Sequence, residues 1–141
     1  MGIDNLSCEH GLSDLLENHT WLYRGVPAES PEVEDVAANG EVYPRRRGYV
    51  GEYARYCHST NEMTDTGYTS WTTNRGKAEE LARYASREAC LSGRVVIFQV
   101  RISSIEQGRI YDGEAREDEY LIEGTVENVL FSEDVHDGND N

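Results

Sequence analysis

From Val95 to Ile102 the chain reads Val-Val-Ile-Phe-Gln-Val-Arg-Ile, its most continuously apolar stretch. Alternate side chains of a strand point to opposite faces, so a strand apolar on both faces must be covered on both sides. This segment is therefore expected to be a central strand. The rest of the chain supplies little to cover it. Leu, Ile, Val and Phe number 28 among 141 residues, and the formal charge is −14. That balance lies at the border of chains that cannot bury enough apolar surface to fold. Nine Tyr and two Trp restore burial area. The expected organisation is one domain over residues 1–132, followed by an acidic, disordered tail over 133–141.

The remaining elements follow from periodicity and punctuation. Residues 11–19 suit a short amphipathic helix, with Ser13 as cap and Leu15 and Leu16 as its apolar positions. Trp21 to Val26 reads as a strand closed by Gly25 and Pro27. Residues 31–39 form a helix pattern, with Ser30 as N-cap, Pro31 in the first helical position and Gly40 as the stop. From Glu41 to Gly67 the pattern weakens into an expected long loop holding Arg45, Arg46, Arg47, Tyr49, Tyr53, Tyr56 and His58. Tyr68 to Thr73 is β-prone. A helix over 75–91 follows, capped by Thr73 or Asn74, with Ala78, Leu81, Ala82, Ala85 and Ala89 at helical spacing and Gly93 ending it. Residues 108–112, 119–123 and 126–131 read as three short strands. The order predicts an α+β domain with its strands clustered late.

Charge and cysteines narrow the setting. Thirteen cations against 27 anions exclude a broad basic surface for nucleic acid. Cys8, Cys57 and Cys90 are odd in number and widely spaced, fitting neither a disulfide framework nor a zinc pattern. No signal-peptide pattern opens the chain and no apolar run reaches spanning length, so the expected setting is cytoplasmic, without a membrane partner.

Three segments carry polar groups on or beside predicted strands: Tyr23-Arg24-Gly25, Tyr68-Thr69-Ser70-Trp71-Thr72 and Glu117-Asp118-Glu119. If the last is extended, Glu117 and Glu119 share a face and Asp118 points away. An Arg at a strand, a Ser in a β segment and a Glu-x-Glu pair, in this order, resemble the Arg–Ser–Glu class of ADP-ribosyltransferases, the cholera-toxin-like group in particular. The resemblance spans roughly residues 21–131. Two departures stand out. Trp71 occupies the place of a small residue between Ser70 and Thr72, and His58 lies at a spacing only loosely like that group's histidine.

What the resemblance implies is a split β-sandwich around an NAD cleft, with flanking helices and no glycine-rich phosphate loop. NAD would be the substrate and donor. Glu119 would stabilise the oxocarbenium-like ribose as the nicotinamide leaves, and Glu117 would accept the nucleophile's proton. Ser70 would hold Glu119, and Arg24 would offer a forked donor to a phosphate or ribose. Tyr23, Gly25, Trp71, Thr72 and His58 would complete the cofactor-binding set. The acceptor would be a macromolecule, an arginine side chain first and nucleic acid second. An effector or toxin role would add an antitoxin or immunity protein as partner. Two other readings use the same residues: an NAD glycohydrolase, and a non-catalytic interaction module that retains the fold.

Overall fold

The computed structural model describes residues 13–114 and 118–132. Helical residues 13–18 (α1) lead into β1 (Trp21–Pro27), α2 (Glu32–Asn39) and α3 (Glu52–Ser59). Then come β2 (Tyr68–Thr72), α4 (Arg75–Glu88) and β3 (Val95–Arg101). Two single turns of 3-10 helix precede β4 (Ile110–Asp112), β5 (Glu119–Glu123) and β6 (Leu130–Phe131). The domain is α+β, and its strands form one six-stranded antiparallel sheet in the order β4-β5-β2-β1-β3-β6.

That sheet has two tightly paired halves and a thin joint. β1 and β3 pair along all of β1, from Trp21↔Arg101 to Pro27↔Val95. β2 and β5 pair along all of β2, from Tyr68↔Glu123 to Thr72↔Glu119. Between the halves, β1 and β2 share a single register pair, Tyr23↔Thr72.

The main core holds Leu22, Val26, Trp71, Phe98, Val100 and Ile122 from the sheet, with Leu15 from α1 and Val36 from α2. Burying each of the Leu, Ile, Val and Phe side chains among them stabilises by roughly 1.5–3 kcal/mol over leaving it exposed. A smaller cluster of Ala54, Tyr68 and Leu121, flanked by Tyr49 and Tyr111, fills in beneath α3. The apolar run at β3 is buried at Ile97 to Val100, but it lies between β1 and the two-residue β6 rather than at the middle of the sheet. In α1, Leu15 is buried while Leu16 stays exposed.

The helices explain themselves locally. The N-cap of α2 is Pro31, one residue later than the expected Ser30, whose Oγ accepts from the Glu32 amide at 3.3 Å, and Glu32, Glu34 and Asp35 sit in the first turn, where the helix dipole favours anions. Gly40 ends that helix at φ 67°, its N–H returning to Val36. Asn74 caps α4 by accepting from the Lys77 amide at 3.0 Å. Small residues, Ala78, Ala82 and Ser86, form the buried stripe of α4. The helix lies so close on β1 that a Cβ at Gly25 would stand 2.1 Å from the Ala78 carbonyl oxygen. Gly25 is thus an interior strand residue placed by close packing, not the turn that the sequence suggests.

The expected long loop over 41–67 contains α3. The helix buries Ala54, Cys57 and His58, an i, i+3, i+4 set that the outward tyrosines obscure. The tail over 133–141 and Cys8 lie outside the described residues.

Candidate functional site

A cavity of about 730 Å³ opens where β1 and β2 part company. That size belongs to small-molecule sites. Its walls come from β1 (Tyr23, Arg24, Gly25), β2 (Tyr68 to Thr72), the end of α3 with the turn after it (His58 to Asn61), and the face of α4 bearing Leu81 and Tyr84. Glu32, Tyr43, Arg45, Thr64, Glu114 and Glu119 complete the wall.

Glu119 opens β5 directly opposite Thr72, with Ser70 one step along the same face. Ser70 Oγ donates to Glu119 Oε2 at 2.5 Å, and the Glu114 amide donates to Glu119 Oε1 at 2.7 Å. Both carboxylate oxygens are therefore held, each by a different element. Gly113 makes the space. A Cβ there would lie 2.5 to 2.8 Å from Oε1, Cγ and Cδ of Glu119, and the backbone of Gly113 is not left-handed. Glycine is needed at this position for the carboxylate.

Asp118 has φ 52°, so the chain enters β5 through a left-handed turn residue. Strand alternation does not run through it, and the same-face argument for Glu117 and Glu119 loses its basis there. Glu117 itself lies outside the described residues.

Arg24 plays a more structural part than the cofactor donor expected from sequence. Its Nε and Nη2 donate to the two carboxylate oxygens of Glu32, each at 2.8 Å, while Nη1 donates to the Ser70 carbonyl at 3.0 Å. One guanidinium thus clamps α2 to β1 and reaches across the thin joint to β2. Three of its five N–H groups are used in this way, which leaves one on each terminal nitrogen for a molecule in the cavity. Burial works against the Arg24 charge, but facing Glu32 it stays firmly cationic. Burial likewise opposes the Glu32 charge, yet Arg24 and then Arg45 hold that carboxyl below its ordinary range. The wall thus carries two guanidiniums, Arg24 and Arg45, against the three carboxylates of Glu32, Glu114 and Glu119.

His58 reaches the wall from α3, with Nδ1 2.7 Å from Thr66 Oγ1 in a buried pair. Burial, with Arg24 and Arg45 close by, lowers its pKa to about 4, so the ring is neutral near pH 7. Thr72 is almost fully buried, and its Oγ1 accepts from the Asn74 amide at 3.1 Å. Trp71 packs in the main core at 1 % exposure, its indole N–H donating to Thr69 Oγ1 at 2.8 Å. The indole that departs from the resembled pattern is a core residue at the back of the cavity.

The three consecutive arginines separate. Arg45 lines the cavity, Arg46 lies 5.0 Å over the Tyr49 ring, and Arg47 donates to Thr125 Oγ1 at 3.3 Å. Sequence reasoning missed Glu32, Gly113, Glu114, Tyr43 and the α4 face. A strand-interior glycine was a readable sign of close approach at Gly25; the Glu32 partnership had no local signal, because it depends on how α2 docks. Among the described residues no cluster of three His, Cys, Asp or Glu side chains could hold a metal, and no helix is long and apolar enough to cross a membrane. A comparison with protein-family models and one with curated proteins find no match.

Proposed function

We propose that this protein is an ADP-ribosyltransferase, taking ADP-ribose from NAD and passing it to a macromolecular acceptor, with the two halves of its sheet acting as the split sandwich of that fold. The observation that carries the reading is the meeting of Arg24, Ser70 and Glu119 at one cavity. Arg24 and Ser70 stand 46 residues apart, Ser70 and Glu119 a further 49, yet the three form a continuous hydrogen-bonded chain.

The chemistry asks for this arrangement. When the bond between nicotinamide and ribose breaks, its electron pair leaves with the nicotinamide nitrogen and positive charge develops on the ribose carbon. A carboxylate fixed in advance stabilises that charge without reorganising. Glu119 is so fixed, by Ser70 and the Glu114 amide. The acceptor's nucleophilic atom then bonds to the ribose carbon and gives up its proton, the step for which Glu117 is the candidate base. Arg24 keeps Ser70 in place through its carbonyl, and Arg24 with Arg45 offers positive charge to the pyrophosphate.

Incubation with biotinylated NAD and a cell lysate tests the proposal. Nicotinamide release together with label on a macromolecule is expected. The Glu119→Gln variant should lose both by about 100-fold or more, the scale set by removing one charge-stabilising group, with its melting temperature near wild type. Release of free ADP-ribose with no labelled macromolecule would reduce the activity to hydrolysis. No release at millimolar NAD would remove the enzymatic reading.

A further inference from the structure

We infer that the acceptor, on the functional reading above, is a single-stranded nucleic acid, held by a basic and aromatic strip that runs from the cavity mouth across α3. The strip is residues 43–56, which hold four tyrosines (Tyr43, Tyr49, Tyr53, Tyr56) and one acid, Glu52. Its exposed cations are Arg45, Arg46 and Arg47, since Arg55 turns inward, donating to the Tyr68 hydroxyl at 2.9 Å and lying 4.1 Å over the Tyr111 ring. In a chain of formal charge −14, this concentration of cations attracts an anion to one place rather than to the surface at large.

Its placement matters as much as its composition. Tyr43 and Arg45 line the cavity. Arg46, Arg47, Tyr49, Tyr53 and Tyr56 do not, so a ligand confined to the cavity cannot use them. Beyond the mouth, Arg45 to Arg47 are all exposed, and Arg46 already stacks on Tyr49. Tyr53 is 67 % exposed and Tyr56 57 %, because α3 turns Ala54, Cys57 and His58 inward instead. A chain short of aliphatic residues forgoes burial area by leaving two aromatic rings in water. An extended anion with one unit in the cavity could engage the whole strip.

The rings decide which polyanion. Every base has a flat face that stacks on tyrosine while arginines pair with phosphates, the pattern of sequence-tolerant single-strand binding. An acidic peptide would use the arginines and leave the rings idle. A duplex would keep its bases inside its own stack and bring its double charge against an acidic protein.

Fluorescence anisotropy without NAD tests the surface, using a fluorescein-labelled 12-nucleotide single strand, its duplex form and a labelled 12-residue polyglutamate. The single strand should bind best. Tyr53→Ala with Tyr56→Ala should weaken it about ten-fold or more, and Arg46→Glu with Arg47→Glu should weaken it and flatten its salt dependence. All these side chains are exposed, and the two pairs of substitutions probe the strip independently should either disturb folding. Polyglutamate binding as tight as the strand, no strand binding, or tyrosine variants that bind like wild type would overturn the inference. Nicotinamide release without strand binding would overturn this surface while leaving the transferase reading intact. Strand binding without nicotinamide release would do the reverse.

Discussion

Gly113 holds open the volume that the Glu119 side chain occupies. Gly113→Ala should push the carboxylate off Ser70 while leaving the backbone unstrained. If the proposed transferase activity holds, NAD cleavage is expected to fall by about 10-fold to 100-fold in kcat, with KM little changed, because the proposal has Glu119 act in the transition state rather than in binding. Unchanged kcat would show that Glu119 is placed by other means. Arg24 and Glu32 make the complementary case. Each side chain is 18 % exposed, and Glu32→Gln leaves most of a guanidinium out of water without its counter-charge. The expected cost is about 2–3 kcal/mol in chemical denaturation, below the value for a wholly buried pair. From the sequence, Ser70 and Glu119 were legible as partners through the family pattern, while Arg24 read as a ligand donor. Its actual partner lies on a helix whose docking no local pattern encodes.

Among the elements, α4 and β1 depend on each other at Gly25. A methyl there meets a backbone carbonyl, which cannot rotate away, so Gly25→Ala should lift α4 and destabilise by about 3 kcal/mol or more. A melting temperature within a degree or two of wild type would count against so tight a crossing. Proline, glycine and cap signals made α2 and α4 readable to within a residue or two at their starts, and β1, β2, β3 and β5 follow from their apolar and β-branched residues. α3 escaped notice for a physical reason. Its buried positions are an alanine, a cysteine and a histidine, while its large aromatic residues face outward. With no large aliphatic residue on its inward face, hydrophobic periodicity left the segment reading as a loop.

At the scale of the whole molecule, acid should unfold this protein earlier than its carboxylates alone would suggest. His58 titrates near 4 in the folded state and near 6.5 when unfolded. Between those values the unfolded chain binds the extra proton, so stability is complete above pH 6.5 and declines as the pH falls toward 4. For that one group the loss from pH 7 to pH 5 is about 2 kcal/mol. The depressed carboxyl of Glu32 adds to it at lower pH, since protonation there dissolves the pair with Arg24. Urea unfolding at pH 7 and pH 5 measures the slope, and His58→Gln should flatten it. An equal slope in wild type and variant would place the proton uptake elsewhere. The sheet order and its thin joint had no signature in the sequence, because pairing between β1 and β2 depends on contacts 46 residues apart along the chain.

That joint has a mechanical consequence. Between its two three-stranded blocks the sheet itself offers one backbone pair, Tyr23 with Thr72, and the Arg24 contact to Ser70, so the blocks are held together chiefly by the core that Trp71 and Ile122 share with Leu22 and Phe98. Backbone bonding across the joint is sparse, whereas β1 with β3 and β2 with β5 are laced along whole strands. A molecule filling the cavity touches both blocks and would act as a rivet. Stretching single molecules between handles placed on β3 and β5 should show a weak first rupture that strengthens when NAD is present.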